Sequence, residues 1–86
     1  MSVDGPVVTV RYWAGARAAA GVDVEAVPAG SLAAVLAEVR RRHGAPLATV
    51  LDAASLLLDG VAVHRGSDPQ VPPGALVEVL PPFAGG

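Results

Sequence analysis

The stretch SLAAVLAEVRRRHG, residues 31–44, decides the fold because it holds the clearest helical pattern in the chain. Ser31 is a favourable N-cap, and the cations of residues 40–43 followed by Gly44 are typical of a helix C-terminus. Apolar residues recur along one face at helical spacing: Leu32, Val35, Leu36 and Val39. We therefore predict a helix over 31–43 whose apolar face needs a sheet to pack against.

Upstream of this helix, two segments have the composition of strands. VVTVRYW (7–13) is β-branched and aromatic, and its alternation places Thr9 and Arg11 outward. The inward side chains are then Val8, Val10 and Tyr12. VDVEAV (22–27) alternates strictly, which predicts that Asp23 and Glu25 face water. Its other face holds Val22, Val24 and Ala26. We expect a hairpin joined by the alanine-rich connection ARAAAG (16–21).

Downstream of the helix, the sequence predicts a strand pair and a last strand. LATVLDAAS (47–55) fits either a helical turn or an irregular link, whereas Asp59-Gly60 within LLLDGVAV (56–63) is a strong hairpin signal. Residues 64–74 read as loop, and LVEVL (76–80) as a strand with Val77 and Val79 toward the core. The predicted class is α+β, with one mixed sheet of four to five strands and one main helix across one face.

The last six residues, PPFAGG, form a different kind of segment. Pro81-Pro82 cannot continue a strand ladder and favours an extended conformation, and the two terminal glycines are costly to order. We expect a folded domain over 1–80 and a flexible functional tail over 81–86. Phe83 is either an anchor for a partner or a residue that packs on the edge of its own sheet.

Composition limits the classes of function. The 86 residues carry a net charge of −2, no Cys, and only Arg as basic side chains. Without cysteine there is no disulfide framework, thiolate nucleophile or Cys-ligated zinc. The charge pattern gives little support for nucleic-acid binding, and no apolar run is long enough to span a membrane. No signal peptide is expected at the N-terminus, so a cytoplasmic location is predicted.

Candidate catalytic residues inside the domain are few. His43 and His64 are isolated and predict no metal site, and the serines lack a plausible neighbouring base. The carboxylates are scattered on predicted outward faces. We therefore expect a chain without catalytic activity of its own, with no permanently bound cofactor.

The terminal carboxylate of Gly86 is the remaining candidate for chemistry. A Gly-Gly end has no Cβ to block a narrow channel, so catalytic groups of a partner can approach the backbone closely. A carboxylate can attack the α-phosphate of ATP to give an acyl-adenylate. A sulfur nucleophile then gives a thiocarboxylate, and a lysine amine gives an isopeptide.

The chain resembles the ubiquitin-like β-grasp sulfur carriers of the MoaD/ThiS family, and most of all the small subunit of molybdopterin synthase. The resemblance covers nearly the whole chain. It rests on VRYWAGARAAAG (10–21), the helix at 31–43, LLLDGVAV (56–63), PPGALVEVLPP (72–82) and the closing AGG. The end motif is its most specific part.

The resemblance implies a function and a set of partners. An E1-like enzyme would use ATP to adenylate Gly86, a sulfur donor protein would convert it to a thiocarboxylate, and the tail would enter a larger synthase subunit or another sulfur acceptor. Gly85 and Gly86 would serve transfer. Four residues would dock the tail: Pro81, Pro82, Phe83 and Ala84. Sulfur would then serve molybdopterin biosynthesis.

Other functions fit the same residues. The sulfur could serve a pathway to cysteine, thiamin or a secondary metabolite. The chain could instead be a ubiquitin-like modifier joined to lysines of other proteins, although the absence of lysine excludes lysine-linked chains of itself. An interaction module with an inert tail is the last alternative.

Overall fold

A computed structural model describes residues 5–82. Within that range the chain forms seven strands and three helices. In chain order they are β1 (Val7–Tyr12), α1 (Ala14–Ala20), β2 (Val24–Pro28), β3 (Gly30–Ser31), α2 (Leu32–His43), α3 (Ala45–Ala53), β4 (Ser55–Leu58), β5 (Val61–Ala62), β6 (Gln70–Val71) and β7 (Leu76–Leu80).

Five strands form one mixed sheet in the order β2-β1-β7-β4-β5. β1 and β7 are parallel, with Val10 opposite Val77, and the other neighbours are antiparallel. β3 and β6 form a separate two-stranded pair, so the segment predicted as loop at 64–74 contains a short strand. The mixed α+β sheet expected from the sequence is confirmed.

Helix α2 covers one face of this sheet, as predicted. The side chain of Ser31 accepts a hydrogen bond from Ala34 N at 3.1 Å, and Gly44 ends the helix with a φ of 74°. The predicted inward residues of the sheet are fully buried: Val8, Val10, Tyr12, Val77 and Val79. From α2 the core receives Leu32, Val35 and Val39. The pairing of a helical stripe with alternating strands is therefore confirmed.

The connection between β1 and β2 and the segment that follows α2 are both helical, which the sequence did not resolve. Of the segment 16–21, predicted as a plain connection, residues 16–20 belong to α1, which buries Ala16 and Ala20, and Gly21 caps the helix with a φ of 77°. The segment at 47–55 lies largely in α3, where Leu47 and Leu51 are buried. Pro46 lies in the first turn of α3, a position that suits proline because its missing N–H has no partner there anyway.

The prediction for the two faces of VDVEAV was wrong. Val22 and Val24 are exposed, and Glu25 points to the core side, where its side chain is only 14% exposed. The reason lies in the register, because Val27 pairs with buried Val8 and Glu25 pairs with buried Val10. Once Val27 faces the core, the period of two places Glu25 on the same face.

The Asp59-Gly60 turn is confirmed. Asp59 and Gly60 both have positive φ, at 48° and 82°, as a tight hairpin turn requires. The carboxylate Oδ1 of Asp59 also accepts a hydrogen bond from Leu76 N at 2.8 Å, which ties the turn to the start of β7. No helix among residues 5–82 is long and apolar enough to cross a membrane.

Candidate functional site

The chain leaves the sheet at the end of β7, the central strand. Leu80, its last residue, pairs with Ser55 of β4, and Trp13 N donates a hydrogen bond to Val79 O at 3.0 Å on the other side. Pro81 and Pro82 follow and are exposed. Because proline has no N–H, the ladder stops here, and we call Leu80–Pro82 the exit segment.

The predicted site residues divide at this segment. Pro81 and Pro82, predicted to dock the tail, lie on the surface beside the end of β7. The other predicted site residues lie outside the described residues: Phe83, Ala84, Gly85 and Gly86. The described part of the candidate site is therefore the surface from which the tail departs.

One flank of the exit segment is the sheet face opposite α2, which we call the outer face. Arg11 and Glu78 lie directly opposite each other in the β1–β7 pair. The Trp13 indole Nε1 donates a hydrogen bond to Glu78 Oε2 at 3.0 Å, and the Arg11 guanidinium lies 5.8 Å from the ring centroid. These contacts hold an aromatic side chain that is 42% exposed in one orientation beside the exit segment.

Apolar side chains continue this row across the outer face. Val24, which is 43% exposed, pairs with Arg11, and half-buried Leu57 pairs with Glu78 on the far side. Aromatic residues and arginine are enriched in protein interfaces, so Trp13 and Arg11 make the outer face a candidate protein-binding surface. The sequence signal was present in Trp13, but its link to Glu78 depends on the parallel pairing of β1 and β7.

The other flank of the exit segment is a groove of about 620 Å³ between α2, α3 and the β4–β5 edge, which we call the side groove. Pro82 forms part of its wall. Its apolar lining includes three half-buried residues: Leu36, Leu56 and Val63. Two guanidinium groups of its lining contact Asp52: Arg40 Nη2 lies 3.7 Å from the carboxylate Oδ1, and Arg65 Nη1 donates to the backbone oxygen at 3.2 Å.

A cluster of ionisable side chains lies on the core side, where β1 and β2 meet the end of α2. Glu25 accepts a short hydrogen bond from the Tyr12 hydroxyl, and its carboxylate lies 2.6 Å from His43 Nε2 and 3.1 Å from Arg42 Nη1. Arg42 also binds Glu38 at 2.7 Å. The sequence predicted His43 only as a cation at the helix end. It did not predict this contact, because it placed Glu25 on the face toward water.

The cluster shifts the ionisation of its members. Burial alone raises the pKa of Glu25, but hydrogen bonds from Tyr12, His43 and Arg42 outweigh it and hold that pKa below the usual value. Burial, followed by the hydrogen bond to Glu25, raises the pKa of Tyr12. The hydrogen bonds from Arg41 and Arg42 lower the pKa of Glu38 to about 2. Each polar group of the cluster has its partner within the cluster, which is typical of a structural role.

The side-chain contacts found within residues 5–82 include no pair of a serine hydroxyl and a histidine ring. Ser31 caps α2, and Ser67 Oγ donates to the backbone oxygen of His64 at 2.6 Å. In the same part of the chain, no group of three or more His, Asp or Glu side chains is arranged to hold a metal ion.

Comparison by sequence gives no match: no protein-family model fits the chain, and no curated protein is significantly similar to it. Comparison by structure finds similar proteins. The small archaeal modifier protein 1 of Methanosarcina acetivorans superposes with a TM-score of 0.80 at 20% identity, covering 94% of this chain and 97% of that one. The Haloferax volcanii protein of the same name gives 0.76 at 18% identity, covering 92% and 100%.

A third similar structure is a Pyrococcus furiosus protein provisionally designated molybdopterin converting factor, subunit 1. Its TM-score is 0.70 at 25% identity, and the alignment covers 92% of this chain and 100% of that chain. These likenesses show that the chain has the ubiquitin-like β-grasp fold. The resemblance to proteins of the MoaD/ThiS type, indicated by the sequence, is confirmed at the level of the fold.

Proposed function

We propose that this chain is a ubiquitin-like sulfur carrier whose Gly86 carboxylate is activated by a partner enzyme. The observation that carries the proposal is the exit segment. The tail departs from the central strand, through two exposed prolines, between an outer face suited to protein binding and a side groove. The folded part positions the tail, and partners supply the catalysis.

The chemistry takes two steps at Gly86. The carboxylate oxygen attacks the α-phosphorus of ATP in an E1-like enzyme, which forms the acyl-adenylate and releases pyrophosphate. Sulfur delivered by a donor protein at the level of hydrosulfide then attacks the acyl carbon and displaces AMP. The product is a thiocarboxylate, and ATP is a substrate of the partner enzyme.

The acceptor we propose is the larger subunit of molybdopterin synthase, in which the thiocarboxylate gives up sulfur to a pterin precursor. Support comes from the first-strand motif VRYWAGARAAAG (10–21) and from the likeness to the P. furiosus protein. In that complex the chain is the non-catalytic small subunit. The outer face, with Trp13 fixed against Glu78, is the surface we expect the partner to cover.

A second candidate function is that of a protein modifier. It is favoured by the structural likeness to two proteins named small archaeal modifier protein 1. In this function a lysine amine of another protein attacks the acyl carbon of the adenylate and displaces AMP, which forms an isopeptide bond at Gly86.

Intact mass of the untagged protein, purified from its own cells, tests the proposal. We expect a species in which one oxygen is replaced by sulfur, localised to Gly86 by fragmentation. Adducts joined to other proteins through Gly86 would establish the modifier function instead. A plain carboxylate without adducts, which persists after incubation with ATP, an E1-like enzyme and a sulfur donor, would refute the sulfur-carrier function and leave an interaction module with an inert tail.

A reconstituted assay separates activation from sulfur transfer. We expect ATP–pyrophosphate exchange with the full chain and none with a chain lacking Gly86. Val61→Ala is the matched control, because Val61 is 70% exposed on the edge strand β5, away from the exit segment. Equal exchange with and without Gly86 would contradict activation at this residue.

A further inference from the structure

We infer that the side groove is a binding site for the chain's own tail, residues Phe83–Gly86, so that the tail alternates between a docked state and a free state. The inference deepens the proposed function and rests on it, because Gly86 is taken to carry a free carboxylate. Docking would regulate how readily an activating enzyme finds that carboxylate.

The last described residue of the chain, Pro82, lines the side groove together with its apolar residues. Pro82 is part of the groove wall, and the next residue is Phe83, the only phenylalanine in the sequence. Leu36, Leu56 and Val63 line the same groove and remain only half-buried. A phenyl ring seated on them would remove apolar surface from water on both sides of the contact.

The charged part of the groove suits the far end of the tail. Four residues reach about 13–14 Å when extended, at roughly 3.3–3.6 Å per residue. The groove lining holds two guanidinium groups, of Arg40 and Arg65, and one carboxylate, of Asp52. Arg40 Nη2 lies 3.7 Å from that carboxylate, whereas Arg65 donates to the backbone oxygen of Asp52. A second carboxylate would balance this excess of positive charge, and Gly86 supplies it.

The prolines lower the entropic cost of docking. Pro81 and Pro82 fix two φ angles, so the tail leaves the sheet in a restricted set of directions. A segment that is already restricted loses less freedom when it binds. Docking of a short tail beside its own attachment point therefore needs only a modest contact.

Docking has a kinetic consequence for activation. An enzyme that engages only the free tail has its apparent affinity reduced by the fraction of chains in the free state. If docking holds about nine-tenths of the population, releasing the tail raises that affinity about tenfold. The change appears in KM, with kcat unchanged, because the bound complex is the same.

Two-dimensional ¹H–¹⁵N NMR of the free protein tests docking without any enzyme. Phe83→Ala should shift the amide resonances of Leu36, Leu56 and Val63 and leave those of Arg11 and Val24 on the outer face unchanged. Arg40→Gln combined with Arg65→Gln should shift the amides of Gly85 and Gly86. The matched control is Arg17→Gln with Arg41→Gln, two exposed arginines outside the groove. Unchanged groove resonances in Phe83→Ala would overturn the inference and leave the groove to a partner segment.

Adenylation kinetics give the second readout. The Arg40→Gln, Arg65→Gln variant should lower the activating enzyme's KM for the chain, by about tenfold where docking holds nine-tenths of the wild-type chains, while the control pair behaves as wild type. Wild-type activation with equal KM in both variants would refute docking and keep the proposed function. Absence of activation in every chain would refute the proposed function, and the NMR shifts would still decide docking.

Discussion

The imidazole Nε2 of His43, the last residue of α2, lies 2.6 Å from Oε2 of Glu25 on the edge strand β2. The same carboxylate accepts from Tyr12 on β1 and from Arg42 on α2. One side chain therefore joins the end of the main helix to two strands of the sheet. Removal of the Glu25 charge tests how much these contacts contribute to the free energy of unfolding.

We expect Glu25→Gln to lower the free energy of unfolding by about 2–3 kcal/mol, because hydrogen bonds to a charged group are worth more than neutral ones. The amide also brings an N–H next to Arg42, which offers only donors. Urea denaturation measures the change. Asp23→Asn on the neighbouring loop is the control, since its carboxylate is 67% exposed and its contact with Arg17 is loose at 3.8 Å. Equal losses in both variants would contradict a special role for Glu25.

The same carboxylate makes stability depend on pH. Its pKa is lower in the folded protein than the ordinary value of 4.5, so the folded state favours the ionised form. The stabilisation is complete above the unfolded pKa and is lost as pH falls through the folded one. Urea midpoints of wild type should therefore fall as pH drops below about 4.5. We expect a shallower fall for Glu25→Gln, with the remainder from groups such as Glu38. Identical slopes would show that Glu25 is not the acid-sensitive group.

The buried side of α3 is tested by Leu47→Ala. Leu47 is fully buried against the core, so truncation removes apolar contacts and leaves a cavity. We expect a loss of about 2–4 kcal/mol in the free energy of unfolding. Thr49→Ala, at an exposed position of the same helix, should stay within about 0.5 kcal/mol of wild type. A small effect at Leu47 would mean that α3 is not part of the cooperative core.

The outer face is tested by Trp13→Ala. The indole is exposed yet held by Glu78, so it is ordered before a partner arrives and suits the role of an anchor. We expect binding to the activating enzyme or the synthase subunit to weaken by about 1–3 kcal/mol. Calorimetric titration measures the affinity, with Val61→Ala as the control at a remote exposed valine. Unchanged affinity in Trp13→Ala would show that the partner does not bind through the outer face.

Deletion of Gly86 separates folding from function. The residue follows the exit segment and is not needed for any hydrogen bond or core contact found within residues 5–82, so the thermal midpoint should not change. Activation by the E1-like enzyme should be abolished. Circular dichroism and pyrophosphate exchange measure the two properties on one sample. Loss of folding on deletion would contradict the separation of domain and tail.

Phe83→Ala addresses the tail in the complex. If Phe83 anchors the tail in a partner, its removal should cost the complex with the synthase subunit about 1–3 kcal/mol and speed its dissociation accordingly. The measurement is the dissociation rate of the preformed complex, because docking on the side groove occurs only in the free chain and does not enter this rate. Equal dissociation rates for both chains would remove the anchoring role.

The sequence predicted the elements whose pattern is local. Helix α2 has its cap, its stripe and its terminal cations within thirteen residues, and the Asp59-Gly60 turn lies within one hairpin. Such signals need no knowledge of what the segment packs against. The predicted sheet and its covering helix followed from them.

The structural features that the sequence did not predict depend on contacts between residues far apart in the sequence. The pairing of Val27 with Val8 determines that Glu25 lies on the core face of the sheet. The alternation of VDVEAV is equally consistent with Glu25 on the core face or on the outer face. The contact between Trp13 and Glu78 spans 65 positions and needs the parallel register of β1 and β7. Helix α1 is only seven residues long, a length at which intrinsic propensity decides little and packing decides most.

The parallel pairing of β1 and β7 also determines how the protein bears mechanical load. A pull that separates the start of β1 from the end of β7 slides the two strands past each other, so their hydrogen bonds are strained together. Because β4 is hydrogen-bonded to the other side of β7, the β4–β7 ladder shares the force. A force applied to the tail would therefore load the hydrogen bonds of β7 to both β1 and β4, so the segment offered to partners is also one from which the domain resists being pulled apart.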